Sequence, residues 1–128
     1  MSPIIFIRGI LSVAKKKQGQ PVKKTDKELW AIIEKSITDK DYIILPHAKR
    51  RQIDRDITDI DILDILENKK NRKRKRNKKK DEYTDGFHDW NYCIEGQDLD
   101  EDKIRIIVSF NKEQNLLVIT VIRLNNQE

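Results

Sequence analysis

The sequence is poor in cysteine, in long apolar runs and in the short motifs of common enzymes. Its single cysteine, Cys93, excludes an internal disulfide and fits a reducing compartment or a fold that needs no disulfide. No stretch approaches the ~18 consecutive apolar residues of a transmembrane helix. Two histidines and one cysteine show no zinc-ligand spacing, and the acidic residues at 98–102 lack the glycine and spacing of a calcium loop. There is no glycine-rich phosphate loop and no hydrolase nucleophile elbow. We therefore expect no metal, no cofactor and no membrane span.

Apolar residues are also scarce, since they make up 37% of the 128 residues while charged residues make up 38%. This balance predicts one small domain at residues 25–128 and an N-terminal tail or docking segment at residues 1–24. The tail carries an apolar patch at residues 4–11, which Arg8 interrupts. It is interpreted as a tether that docks on its own domain or on a partner. Membrane contact and a targeting signal remain alternatives.

The positive charge is concentrated in one run, residues 69–80, which carries ten cations in twelve residues. Leaving out those ten charges changes the net charge from +5 to −5. Such a run repels itself, so we expect a basic loop that stays out of the core. Its natural partner is a polyanion: a nucleic acid, an acidic membrane surface or an acidic protein. A solvated loop is the alternative.

Helical signals occupy the first half of the domain. Thr25 and Glu28 have capping-box spacing, and the apolar residues that follow predict an amphipathic helix over 26–38. Pro46 suits the first turn of a second helix, which runs at least to Ile53. A third helix is predicted over 59–67, capped by Thr58 or Asp59.

The C-terminal third changes to strand-like patterns at residues 90–95, 103–110 and 116–124, with a hairpin-length loop at 111–115. Trp90 and Tyr92 are expected in the sheet core, and Cys93 is expected to be structural. Two or three N-terminal helices packed on an antiparallel sheet make an α+β fold.

The segment Leu45–Arg51 places a histidine and a cluster of positive charge at a helix start. Histidine moves protons near neutral pH, and arginine binds phosphate through two hydrogen bonds. His47 and Arg51 are four residues apart and share a helix face. A proton carrier beside a phosphate ligand is the minimum needed to cut RNA. A plain surface helix start is the alternative.

Two groups of residues resemble the DUF4258 family. His47-Ala48-x-x-Arg51, followed by Arg55-Asp56-Ile57-Thr58, is similar to the family's His-Ala-x-x-Arg and Arg-Gly-Ile-Ser/Thr motifs, with Asp56 where the family prefers glycine. The segments 90–96, 104–110 and 118–123 resemble its aromatic, central and closing strands. The resemblance covers about residues 42–124. It implies similarity to the RelE/ParE/BrnT-like toxins of bacterial toxin–antitoxin systems, with helices packed on a small curved antiparallel sheet.

The resemblance further implies metal-independent RNA cleavage, in which the RNA's own 2′-OH attacks the phosphate. His47 is the candidate base or acid and Arg51 the candidate phosphate ligand. Arg123 is expected to border the cleft, His88 is a second candidate acid–base group, and Tyr83 is placed to stack on a base or share a proton. The candidate RNA-binding cations are Lys49, Arg50, Lys69, Lys70, Arg72, Lys73, Arg74, Lys75, Arg76, Lys78, Lys79 and Lys80.

Taken together, these features lead us to expect a cytoplasmic bacterial toxin that is an endoribonuclease. Its expected partners are RNA, the ribosome and a cognate antitoxin. The first alternative is a nucleic-acid-binding or adaptor module without catalysis. The second is a toxin that acts on a protein target such as a topoisomerase. In the third, the basic run is a nuclear-localisation-like signal of a secreted effector.

Overall fold

The structure is a computed structural model that describes residues 20–74 and 81–124. The predicted tail therefore lies outside the described residues up to residue 19. The described chain forms these helices and strands, in order: α1 (Asp26–Thr38), β1 (Tyr42–Ile44), α2 (Pro46–Arg55), α3 (Asp59–Glu67), β2 (Lys73–Arg74), β3 (Tyr92–Gln97), β4 (Lys103–Phe110) and β5 (Leu116–Arg123).

The three helices begin where the sequence predicts. The Thr25 side chain accepts a hydrogen bond from the Glu28 amide, while the Glu28 carboxylate accepts one from the Thr25 amide, which completes the capping box of α1. Thr58, rather than Asp59, caps α3, with Asp61 as its reciprocal partner. The helix start of α2 has no side-chain cap, because Pro46 occupies its first turn and needs no N–H partner there.

The five strands form one mostly antiparallel sheet in the order β1-β5-β4-β3-β2. The three predicted strands are confirmed as β3, β4 and β5, which pair antiparallel. The short strand β1 pairs with β5 in parallel, from Tyr42 opposite Leu116 to Ile44 opposite Val118. The sheet is therefore an α+β architecture whose helices precede its three longest strands.

One face of the sheet and the inner faces of all three helices form a single apolar core. The register between β4 and β5 shifts between Ile107 and Val108, so β5 carries one extra residue at this point. Because of the shift, Val118 and Val121 both point into the core although they are three residues apart. Tyr92 is fully buried, and Trp90 is half-buried against the core, which agrees with the sequence prediction for both.

The N-terminal end of the described chain is held against the domain. The Trp90 indole Nε1 donates to the Pro21 carbonyl oxygen at 2.9 Å, and the Lys24 amide donates to the Tyr92 hydroxyl at 3.0 Å. None of the helices in residues 20–74 and 81–124 has the length and apolar character needed to cross a membrane.

Candidate nucleic-acid interface

Helix α2 presents His47 on the protein surface. The helix is anchored at its start by the Leu45 amide, which donates to the Val118 carbonyl oxygen at 3.0 Å. Ala48 and Gln52 form its buried face, whereas His47 is exposed in the first turn. Arg51 lies one turn further on and is half-exposed, with its Nη1 3.8 Å from the Asp54 carboxylate. His47 and Arg51 therefore share an accessible side of α2, as their spacing predicts.

Arg123 is used inside the fold rather than beside His47. Its guanidinium donates to the backbone carbonyl oxygens of Arg55 and Asp56, at 3.1 and 3.0 Å, and to the carboxylates of Asp98 and Asp102, both at 3.0 Å. These contacts attach the C-terminal end of α2 to the β3–β4 turn. His47 lies eight residues earlier, about 12 Å along the helix axis.

Tyr83 and His88 lie in the loop that leads into β3. The Tyr83 hydroxyl donates to the Phe87 carbonyl oxygen at 2.9 Å, and its ring centroid is 5.8 Å from that of Trp90. His88 is exposed. Strands β4 and β5 separate β3 from β1, so this loop is about three strand spacings, or ~14 Å, from the start of α2. The five candidate catalytic residues are therefore not brought together in one cleft.

Arg72, within the basic run, is buried rather than solvated. Its guanidinium donates to the Leu66 carbonyl oxygen and to the Glu34 carboxylate, both at 2.8 Å. It also stacks over the Trp30 ring, at 4.4 Å from the centroid, and the residue is only 8% exposed. The expectation that the run stays out of the core is wrong at this residue, because a carboxylate on α1 offsets the cost of burying the charge.

Arg74 is held in the same way by two carboxylates. It contacts Asp81 through Nε at 2.9 Å and Nη2 at 2.8 Å, and Asp26 through Nη1 at 2.8 Å. The side chains of Arg74 and Asp81 are each 4% exposed. Burial alone would lower the pKa of Arg74, but its hydrogen bonds to Asp81 and Asp26 outweigh this and raise it.

The Arg74–Asp81 ion pair joins the two residues that flank the most positively charged part of the sequence. Residues 75–80 carry five cations in six positions, and they lie outside the described residues. Both flanking residues are fixed to the domain and to each other by this buried, two-bonded ion pair. The densest part of the positive charge is therefore attached to the folded body at both ends.

The remaining described cations of the candidate interface lie on the surface. Lys69, Lys70 and Lys73 are exposed around β2, and Lys49 and Arg50 are exposed on α2. The carboxylates that hold the two buried arginines were not recognised from the sequence. The one available signal was the presence of arginines in a lysine-rich run, because arginine is better suited than lysine to buried, two-bonded ion pairs.

The buried hydroxyl group of Tyr92 helps to hold the N-terminal segment against β3. The Tyr92 hydroxyl donates to Asp89 at 2.6 Å, and the Lys24 ammonium contacts the same carboxylate at 2.7 Å. Burial, followed by the hydrogen bond to Asp89, raises the pKa of Tyr92 well above its ordinary value. Tyr92 therefore stays protonated and serves as a structural donor.

The family model described as a domain of unknown function, DUF4258, matches residues 44–123. The chain belongs to the DUF4258 family. No curated protein and no solved structure shows significant similarity to this DUF4258 chain. Within residues 20–74 and 81–124, the DUF4258 domain has no group of three or more His, Cys, Asp or Glu arranged to hold a metal ion.

The structure explains the position at which this DUF4258 domain departs from the family pattern. Asp56 ends α2 with φ 55° and ψ 50°, which is the left-handed conformation. Glycine adopts this conformation without a Cβ penalty, and aspartate tolerates it better than most residues. Position 56 is thus a helix end that favours glycine, and Asp56 occupies it at some cost in stability.

Proposed function

We propose that this DUF4258 domain binds RNA through the sugar–phosphate backbone, using the basic run at residues 69–80. The observation that carries the proposal is the buried attachment of the run by Arg72 and Arg74, each held by carboxylates elsewhere in the chain. A solvated loop has no need of buried ion pairs at its base. A phosphate-binding segment benefits from them, because attachment lowers the conformational entropy that is lost on binding.

Electrostatics sets the size of the expected effect. Each phosphate contact on single-stranded nucleic acid adds ~0.7 to the slope of log K against log salt, so each contributes about five-fold to affinity at 0.1 M salt. Four contacts from the lysines at 75, 78, 79 and 80 then contribute several hundred-fold to affinity and about −3 to the slope.

The proposal is tested by measuring the anisotropy of a labelled 12-nucleotide RNA between 50 and 300 mM salt. Replacing Lys75, Lys78, Lys79 and Lys80 with glutamine should weaken binding by about two orders of magnitude or more and flatten the salt slope. The matched control replaces four exposed lysines elsewhere, which are Lys27, Lys35, Lys40 and Lys112. Equal losses in both variants would show that only net charge matters and would refute an interface at the run.

Endoribonuclease activity of the toxin type is the second candidate function, and the accessible side of α2 favours it. His47 and Arg51 lie one turn apart there, so an imidazole and a guanidinium are accessible on the same side of the helix. In this proposal Arg123 orients the end of α2 instead of contacting RNA, and a cognate antitoxin would cover the face that carries His47.

Induced expression followed by mapping of RNA ends tests the second candidate. New cuts should be present with the wild-type chain and absent with His47→Ala and Arg51→Ala at equal protein levels. Lys49→Ala on the same helix is the control and should leave the cuts in place. Growth arrest without cuts would point to a protein target, and RNA binding without cuts would leave the binding function alone.

A further inference from the structure

We infer that the cavity between β2, β3 and β4 is a subsite for phosphate groups of the RNA backbone, an inference that rests on the proposed RNA-binding function. The cavity has a volume of about 240 Å³ and is lined by Lys70, Lys73 and Lys103. All three lysines are exposed at its rim. Nothing in the sequence pattern marks this site, because Lys103 lies thirty residues after Lys73.

The sheet register brings the lysines to one face. Lys73 lies opposite Glu95 on β3, and Lys103 lies opposite Gln97 on the other side of the same strand. Directly opposed residues of antiparallel strands project to the same face, and Glu95 and Gln97 are two residues apart. Lys73 and Lys103 therefore flank β3 on one face, within reach of a shared ligand through their long side chains.

The floor of the cavity is rigid. The Asn71 side chain donates to the Gln97 carbonyl oxygen at 2.8 Å and accepts from the Gln97 amide at 2.7 Å. On the opposite, core-facing side of β3, Gly96 packs so closely that a Cβ there would lie 2.6 Å from Ile65 Cγ2 and 3.0 Å from Asn71 Oδ1. These contacts hold the segment that carries Lys70 against β3, so the site is formed before a ligand arrives.

The charge of the lining is positive despite the presence of Glu95. The Glu95 carboxylate accepts a hydrogen bond from Arg105 Nε at 2.8 Å, and the residue is 8% exposed. This ion pair offsets the one negative charge of the lining, which carries three lysines. The cavity also lies beside the end of β2 at Arg74, where the cationic residues 75–80 begin.

The test uses the full chain and a decanucleotide of uridine. Backbone amides of Gly96 and Gln97 and the side-chain amide of Asn71 should show saturable NMR shifts on titration. The variant with Lys70→Gln, Lys73→Gln and Lys103→Gln should weaken RNA binding by about 100-fold at 0.1 M salt, from about five-fold for each contact. The control with Lys27→Gln, Lys40→Gln and Lys112→Gln removes the same charge and should change the Kd by about three-fold or less. Thermal melting of both variants verifies that they fold.

The outcomes separate this inference from the proposed function. Unchanged RNA affinity in the cavity variant, or NMR shifts confined to α2, would overturn the phosphate subsite while the RNA-binding function stands. No RNA binding by the wild-type chain would overturn both. Binding to vesicles that contain anionic phospholipid, without binding to the decanucleotide, would also overturn both, and it would assign the basic surface to a membrane.

Discussion

Replacing Arg74 with methionine should destabilise the domain by about 3–5 kcal/mol, because the change leaves a buried carboxylate without its cation. Arg74 and Asp81 are each 4% exposed, so water cannot replace the lost contacts without a rearrangement of the fold. Methionine retains much of the arginine's apolar stem, which limits the packing loss. The variant also leaves the Lys24 carbonyl oxygen without the donor that contacts it at 2.7 Å.

The loss caused by Arg74→Met is large compared with the total free energy of unfolding of a small domain. Domains of this size have unfolding free energies of about 5–15 kcal/mol, so the loss is about a fifth of the total or more. With a shift of about 4–8 °C for each kcal/mol, the midpoint of thermal unfolding should fall by about 12–40 °C.

A double-mutant cycle measured by urea unfolding checks the reasoning. Arg74→Met, Asp81→Asn and the double variant should show a coupling of about 2 kcal/mol, with the double variant less destabilised than the sum of the two. Arg51→Met is the control, since Arg51 is half-exposed and its contact with Asp54 is long, and it should change stability by about 0.5 kcal/mol or less. Additive effects, or a loss below about 1 kcal/mol for Arg74→Met, would refute the claim that this ion pair anchors the basic run.

Three further substitutions test individual features of the fold. Asp56→Gly should raise the free energy of unfolding by about 0.5–1 kcal/mol in urea titrations, since glycine accepts the left-handed conformation, and no gain would argue against strain at this helix end. Gly96→Ala should lower the same free energy by about 1–3 kcal/mol, because the new Cβ would meet Ile65; a smaller loss would mean that α3 packs loosely against β3. Burial raises the pKa of Asp98, but hydrogen bonds from amides of its own turn and from Arg123 outweigh this and hold it below its ordinary value of 3.8. The Asp98 carboxylate therefore stabilises the fold above pH 3.8, and this stabilisation is lost as the pH falls through the lower pKa of the folded state. Asp98→Asn should lose about 2 kcal/mol at pH 7, and thermal melts below about pH 4 should show this difference shrinking; a constant difference would contradict the assignment.

The parts of the fold that depend on local spacing could be predicted from the sequence. The capping box at Thr25 and the one at Thr58 each involve residues three apart, so the pattern and the contact coincide. The three long strands likewise follow from runs of β-branched residues. These signals are short-range, and the structure confirms the elements they predict.

The parts that depend on distant partners could not be predicted. The pairing of Tyr42 with Leu116 joins residues far apart in the chain, and the run 42–45 is too short to distinguish a strand from an irregular segment. Burial of Arg72 and Arg74 depends on Glu34 and Asp26, whose sequence environment is an ordinary charged helix surface. Composition treats all cations of the run alike, whereas the fold holds Arg72 and Arg74 in buried ion pairs and leaves Lys69, Lys70 and Lys73 exposed.

The candidate site also combines positions that follow from local spacing with a position that depends on distant partners. The placement of His47 and Arg51 on one side of a helix start follows from spacing and from Pro46. The position of Arg123 does not, because its four acceptors lie on the end of α2 and on the β3–β4 turn. A strand pattern indicates which face a side chain occupies, but not which loops meet it there.

The strand order has a consequence for how the chain folds during synthesis. Strand β5 lies between β1 and β4, although it is the last strand of the described chain to leave the ribosome. Until β5 has been synthesised, β1 has no strand to pair with. The apolar faces of the helices also lack much of the sheet on which they pack, since α2 packs chiefly on β5. Pairing over this distance in sequence requires closing a long loop, which slows folding. The body that holds Arg72 and Arg74 is therefore complete only after β5 has been synthesised, well after the basic run itself.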